Sequence, residues 1–314
     1  MKYSGVGGQA VMEGVMMKNE DRYAVAVRKP DHQIDVEVST CKAIIKNKTL
    51  RNLPFVRGVI NFIESLVLGM STLMYSASFF EDDEEDKKKK EAMSKEEREA
   101  LEAKEKKQEK ALMGGTVAFS LVFALALFFL LPYFLSRFFH QVITSQTFIA
   151  LLEGVIRLAI FIGYIAIISL TPDIKRVFMY HGAEHKCINC IEHGMELNVE
   201  NVRKSSRLHK RCGTSFLLIV MLISVVFFMF IRVDSRALQL LLRLLLIPVI
   251  AGVSYEFIRL AGRYDNWLVN ALSQPGLWMQ RLTTREPEGD MIEVGIASVE
   301  AVFDWKKWQK EENV

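Results

Sequence analysis

The chain is poor in cysteine, carries almost no net excess of either charge, and opens without a continuous apolar run. Four cysteines in 314 residues, at positions 41, 187, 190 and 212, are too few and too unevenly spaced for an extracellular disulfide framework. Lysine and arginine total 40 against 37 acids, a net +3, which excludes the basic profile of a nucleic-acid binder; no nucleic-acid partner is expected. The opening MKYSGVGGQAVMEG lacks the apolar core of a cleavable signal, so the first residues are expected to belong to the mature protein. What is present instead is apolar bulk: 50% hydrophobic residues and a mean hydropathy of +0.16, which disfavour disorder.

That bulk is concentrated. Met113 to Leu135 runs 23 residues without a charge, and at about 1.5 Å per residue it covers a hydrocarbon core of about 30 Å. Phe148 to Leu170 reads as a second span carrying Glu153 and Arg157, Thr214 to Ile231 as a third, and Ala237 to Ile258 as a fourth carrying Arg243 and Glu256. Lysine and arginine accumulate in 81–112 (ten), in 171–213 (eight) and in 1–57 (ten), whereas the links between spans one and two and between three and four are short and hold one and two. The positive-inside tendency then places those three segments and the C-terminal tail in the cytoplasm. Val59 to Phe80 is long enough to span, but one crossing would put the basic N-terminal region outside. It is expected to be an interfacial or re-entrant helix.

The expected organisation is a mostly α membrane protein of about four transmembrane helices. In order, it has a cytoplasmic β-hairpin region (1–57), the interfacial helix (58–80), a charged linker (81–112) and a first transmembrane pair (113–170). A cytoplasmic loop (171–213), a second pair (214–258) and a cytoplasmic tail (259–314) follow. The hairpin is read from the alternation in YAVAVRKPDHQIDVEVSTC around Lys29, Pro30 and Asp31. Gly5-Val-Gly7-Gly8 reads as a tight turn, and MIEVGIASVEAVFDW in the tail as a strand leading into a helix. Both chain ends thus build a small cytoplasmic α+β portion.

The 171–213 loop carries the chemistry. Thr171 and Pro172 form a helix start, with the hydroxyl as cap, and Gly194 is a stop. On that helix Ile174, Val177, Phe178, His181, His185, Ile188 and Glu192 share one largely apolar face. His181 and His185, one turn apart, can each offer a nitrogen to one Zn²⁺, while Glu184 between them can polarise a metal-bound water, the inverse of the HExxH arrangement. A rival set is CxxC at Cys187 and Cys190 with HxxC at His209 and Cys212, eighteen residues lying between the pairs, close to a zinc-ribbon spacing. On a continuous helix Cys190 lies about 140° from His185, so the two sets share an ion only if the helix breaks, at Gly182 or Asn189.

The inferred topology brings Glu256 to the same membrane level as His181 and Cys212, making it the leading further ligand; an ion pair with Arg259 or Arg263 is its alternative. Glu153 and Arg157 are expected to pair with one another, and Arg243 to pair with an acid or snorkel. Glu13 and Glu64 can add carboxylates to the cytoplasmic surface.

The segments GGQAVMEGVMM (7–17), FVRGVINFIESL (55–66), YHGAEHKCINCIEHG (180–194), HKRCGTSFL (209–217), VSYEFIRLAGR (253–263) and the run from Pro275 to Val302 resemble the bacterial YqhQ-like family over nearly the whole chain. The resemblance implies a multi-pass membrane protein with a predicted metal-dependent activity. It matches the family pattern at His181, Glu184, His185, Cys190, His209, Cys212 and Glu256, and departs from it at Cys187, where threonine is usual.

Two classes of function follow. In one, His181 and His185 hold zinc, Glu184 is the catalytic base of a hydrolase, and Glu256, Cys190, His209 or Cys212 completes the ligand set. In the other, a non-enzymatic scaffold or assembly factor carries a structural metal on Cys190, His209 and Cys212. The expected setting is the bacterial cell membrane, with both termini cytoplasmic. The bilayer is one partner, and a second copy or another membrane protein the other. A transporter is disfavoured, since no repeated halves are evident.

Overall fold

A computed structural model describes residues 2–312 except Lys42, Lys46, Lys48, Leu50 to Asn52, 81–94, Arg232, Asp234 and Asp265. The expected linker therefore lies largely outside the described residues up to 94, as does part of the link between the third and fourth apolar segments. The chain divides into two compact units, 78–162 and the remainder.

The larger unit opens with four antiparallel strands in sequence order, β1 (Val6–Val11), β2 (Gly14–Asn19), β3 (Arg22–Arg28) and β4 (Ile34–Thr40). The hairpin expected around Lys29 to Asp31 is β3–β4, with Ala24 opposite Val38. The segment read as a tight glycine turn is instead strand β1, with Gly8 opposite Met17. Alternation was masked there because Gly7 and Gly8 supply no side chain to show it. Glu13, at the β1–β2 turn, holds φ 47°. Its carboxylate accepts from Arg176 Nε at 2.5 Å and Nη2 at 2.6 Å, partners that fix a left-handed residue where glycine is the usual choice.

Helix α1 (Val56–Ala77) follows, then, after the smaller unit, α5 (Pro172–Glu192), α6 (Val199–Lys204), α7 (Gly213–Met229), α8 (Arg236–Arg263), α9 (Trp267–Thr283), α10 (Gly289–Val302) and α11 (Trp305–Glu312). The tail segment read as strand into helix is helical from Met291 to Val302, as α10, and contains no strand. Its Met291, Ile292, Val294 and Val299 recur at helical spacing and join Val15, Met17, Tyr180 and Ile188 in one core, so α5 and α10 pack with the sheet. Alternation over a few residues cannot tell a strand from a helix once small residues such as Gly295 and Ala297 fill the gaps.

The smaller unit contains α2 (Lys95–Leu125), a π-helical stretch (Ala126–Leu130), α3 (Leu131–Arg137), a 3₁₀ turn (Phe138–Gln141) and most of α4 (Gln146–Ile168). The π turn directly precedes Pro132, whose missing N–H and ring oblige the helix to relax its hydrogen bonding. Arg157 donates to Glu153 at 2.7 Å and to the Phe128 carbonyl at 2.9 Å, the internal pairing expected on an apolar helix.

Among the described residues, four helices are long and apolar enough to cross a membrane: Val56–Ala77, Ala111–Arg137, Gln146–Ile168 and Ala237–Gly262. This set differs from the expected one. The stretch read as interfacial belongs to it by length and composition, and α7, read as a span, has 17 residues and is a shorter apolar helix. Its length of about 25 Å falls short of about 30 Å of hydrocarbon.

Candidate functional site

Helix α5 runs unbroken from Pro172 to Glu192, so neither Gly182 nor Asn189 interrupts it. Pro172 occupies its first turn and Gly194, at φ 73°, stands just past its end. The expected hydroxyl cap differs: Thr171 Oγ1 donates back to the Ile168 carbonyl at 2.8 Å and makes no cap bond to α5. Nor is one face alone buried. From Gly182 to Glu192 every residue is buried, because sheet, α10 and the following loop enclose the helix on all sides.

Two glycines permit this enclosure. A Cβ on Gly182 would lie 2.0 Å from the Arg285 carbonyl oxygen, so only glycine lets the segment after α9 cross α5. That crossing is pinned by the Arg285 amide donating to the Phe178 carbonyl at 2.8 Å. A Cβ on Gly8 would meet Glu184 Cγ at 2.9 Å and the Met16 carbonyl at 2.5 Å, so β1 rests directly on the glutamate.

The loop after α5 is held by its carbonyls. Lys186 Nζ donates to those of Arg203 (2.8 Å) and Ser205 (2.9 Å), and Asn189 Nδ2 to those of Ser206 (2.6 Å) and Leu208 (3.0 Å). From the other side, Gln280 on α9 accepts from the His209 amide at 2.8 Å and donates to the His209 carbonyl at 2.6 Å. Pinned in this way, the loop delivers Cys212, the N-cap residue of α7, to the histidines.

His181, His185 and Cys212 converge, with one ligand atom of each within 4.8 Å of the others, as the one such group among the described residues. His181 Nδ1 lies 2.8 Å from the Thr283 carbonyl and His185 Nδ1 2.6 Å from that of Arg207. A carbonyl only accepts, so both rings carry a proton on Nδ1 and turn Nε2 inward. His181 Nε2 is 3.2 Å from Cys212 Sγ. Glu184 Oε2 lies 3.8 Å from His181 Nε2 and 3.7 Å from His185 Nε2.

Electrostatics follow from this crowding. For Cys212, burial opposes ionisation, but the two imidazoles outweigh it and draw the thiol well below its ordinary value. For His181, burial opposes the imidazolium; the Cys212 sulfur, Glu184 and the Thr283 carbonyl prevail and raise it from 6.5 to about 9. His185 is raised against burial by the same sulfur and carboxylate. Burial pushes Glu184 up, partly countered by the two histidines.

The other expected site residues make different contacts, although the His209 ring stands 5.7 Å from that of His185. Cys190 Sγ points to the Glu196 carbonyl at 3.4 Å, and Cys187 Sγ packs where a Cβ on Gly295 would come within 2.9 Å. Burial raises both thiols. His209 turns Nε2 toward Glu192 Oε2 at 3.7 Å. Burial, Arg211 and His185 together lower it to about 4. Glu256 is bound by Arg57, with Nε to Oε1 at 2.5 Å, and lies 3.8 Å from Arg259. Glu13 is held by Arg176, and Glu64 accepts from the Ile44 amide at 3.1 Å. Arg243 stands over the Phe228 ring at 5.0 Å. Sequence spacing gave no sign of Thr283, Arg207 or Gln280, since backbone carbonyls leave no signature and these contacts join distant segments.

Residues 53–305 match the family described as "Protein of unknown function (DUF1385)". The chain is 36% identical over 297 residues to "Uncharacterized protein YqhQ" of Bacillus subtilis (strain 168), covering 93% of this chain and 90% of that protein. No solved structure matches. With most of its length matched, and the His181–Cys212 region within the match, the chain belongs to this DUF1385, YqhQ-like family.

Proposed function

We propose that the protein is a multi-pass protein of the bacterial cell membrane whose His181, His185 and Cys212 bind a divalent metal, best suited to zinc. A tetrahedral ion with bonds of about 2.0–2.3 Å would keep its donor atoms about 3.3–3.8 Å apart; Glu184 Oε2 stands 3.7–3.8 Å from both Nε2 atoms, His181 Nε2 and Cys212 Sγ are 3.2 Å apart, and the three ligand atoms all lie within 4.8 Å of one another. The supporting observation is the direction of the imidazoles. Both Nδ1–H groups are spent on backbone carbonyls, which fixes the tautomer and aims both Nε2 lone pairs at the thiol, as outer-shell acceptors do for metal-binding histidines.

With three protein ligands a bound zinc would have room for a water, and Glu184, 3.7–3.8 Å from both Nε2 atoms, would serve as the base toward it. Burial raises the Glu184 pKa above the ordinary carboxylate value, which strengthens it as a base. Metal-dependent hydrolysis is therefore the reading these residues support best, with the cluster on the cytoplasmic side. A second reading rests on Glu184 Oε2 being nearly equidistant from the two imidazoles: as a fourth ligand it would close the site and make the metal structural, in a scaffold rather than an enzyme.

Elemental analysis of the purified full chain tests the first step. One zinc per chain is expected, lost in the His181→Ala, His185→Ala double variant; zinc unchanged by that variant rejects the site. Glu184→Gln separates the readings. In a hydrolase it keeps the metal and fails to complement a bacterial deletion strain, whereas in a closed structural site it weakens metal binding.

A further inference from the structure

Helix α9 is a 17-residue element with one polar, buried face and one apolar, exposed face. Ser273, Gln280 and Thr283 on the inner face are buried against the protein. The outer face presents Trp267 (80% exposed), Leu268, Leu272, Trp278 (69% exposed) and Leu282. Its sequence contains no acid and a single charge, Arg281. Single exposed apolar residues need no explanation, but five on one short helix, two of them tryptophan, are expensive to leave in water.

The helix is placed by its neighbours. It starts three residues after Tyr264, the extended residue that ends α8, a helix long and apolar enough to cross a membrane, whose last turns expose Leu260. Its inner face then follows the stretch leading into α7: Asn270 Oδ1 accepts from Lys210 Nζ at 2.7 Å, a Cβ on Gly276 would touch Ser215 Cβ at 2.8 Å, and Thr283 Oγ1 meets Thr214 Oγ1 at 3.2 Å. Thus α9 lies beside the entrance of the apolar α7. It does not itself cross: about 25 Å of helix is too short, and its inner face is committed to polar contacts with His209 and Ser215.

We infer that α9 is a membrane-surface helix that seats Trp267, Leu268, Leu272, Trp278 and Leu282 in the headgroup–acyl boundary of an anionic bilayer. Tryptophan favours that boundary, and a helix with a basic residue and no acid is attracted to acidic headgroups. Resting on the reading of the chain as a membrane protein, continuity with α8 decides for lipid over a protein partner, since the apolar outer face extends the exposed surface of a helix long and apolar enough to cross a bilayer. Thr283, the last residue of α9, holds His181, so the His181–Cys212 cluster stands directly behind the lipid surface.

The test uses the full chain in vesicles of phosphatidylcholine and phosphatidylglycerol, with bromine placed near either the carbonyl or the methyl end of the acyl chains. Fluorescence of wild type is compared with Trp267→Phe plus Trp278→Phe, which alters exposed side chains and leaves Trp305 and Trp308 as an internal background. The difference reports α9 alone. Shallow bromine is expected to quench it at least about twofold more than deep bromine, with little quenching by aqueous iodide. Strong iodide quenching would return the face to water, protection from every quencher would put protein over it, and stronger deep quenching would place it in the hydrocarbon. Any of these three results overturns the proposal.

Discussion

His181 Nε2 and Cys212 Sγ face each other across 3.2 Å, although one lies in the middle of α5 and the other caps α7. The Cys212 sulfur helps to raise His181 against burial to about 9, and the two imidazoles draw the Cys212 thiol well below its ordinary value. A metal ion taking the Nε2 lone pair must expel the His181 proton. Apparent zinc affinity should therefore rise about tenfold per pH unit through neutrality and level off above about 9. Competition with a chelating dye across that range checks the slope; a flat profile would mean that no proton is displaced.

Cys190 and Glu256 make their bonds to the Glu196 carbonyl and to Arg57. Cys190→Ser and Glu256→Gln should keep the metal content of wild type, whereas Cys212→Ser should reduce it severalfold. Elemental analysis of the three purified variants checks this, and loss of metal in Glu256→Gln would bring that carboxylate back into the site.

Gly182 and Gly7 offer a matched contrast. Alanine at 182 would drive its methyl into the Arg285 carbonyl, while at Gly7 nothing lies within 4 Å. Gly182→Ala should cost about 1–3 kcal/mol and, by pushing away the segment that holds His181, also weaken metal binding. Gly7→Ala should change stability by less than about 0.5 kcal/mol. Thermal unfolding in detergent, with and without chelator, measures both.

Glu192 is fully buried and accepts from the Ser4 amide at 2.9 Å, from the Ser4 hydroxyl at 2.8 Å and from Arg211 at 2.5 Å. Burial alone would raise its pKa, but His209, Arg211 and Ser4 hold it down to about 2 from an ordinary 4.5. Because the folded value is the lower one, its contribution is complete above 4.5 and disappears as pH falls toward 2. Glu192→Gln should lower stability by about 1.5–3 kcal/mol at neutral pH and flatten the loss between those two values. Denaturant titrations at several acidic pH values provide the measurement.

The residues that announced themselves in the sequence were those whose side chains act within one turn of each other. His181, Glu184 and His185 form such a set, as do Glu153 with Arg157 and the β3–β4 hairpin around Pro30. What stayed hidden depended on contacts between distant segments. Nothing in the spacing of Cys187, Cys190, His209 and Cys212 revealed that Cys212 would bring its ligand atom to both histidines, because that choice is made by Lys186, Asn189 and Gln280 gripping backbone carbonyls. The same limit applies to α1, where apolar length and basic flanks point in opposite directions. In α10, small residues blurred the helical period.

The grip of Lys186 and Asn189 on four successive stations of the loop acts as a ruler. Removing one residue between His209, whose carbonyl Gln280 also holds, and Cys212 would pull the sulfur back by up to about 3.8 Å, more than its whole separation from His181. Chain length between the last anchored carbonyl and the thiol is thus as strict a requirement as the identity of the ligands, and natural variation in this stretch should take the form of substitutions, with insertions and deletions displaced to the far side of the anchors.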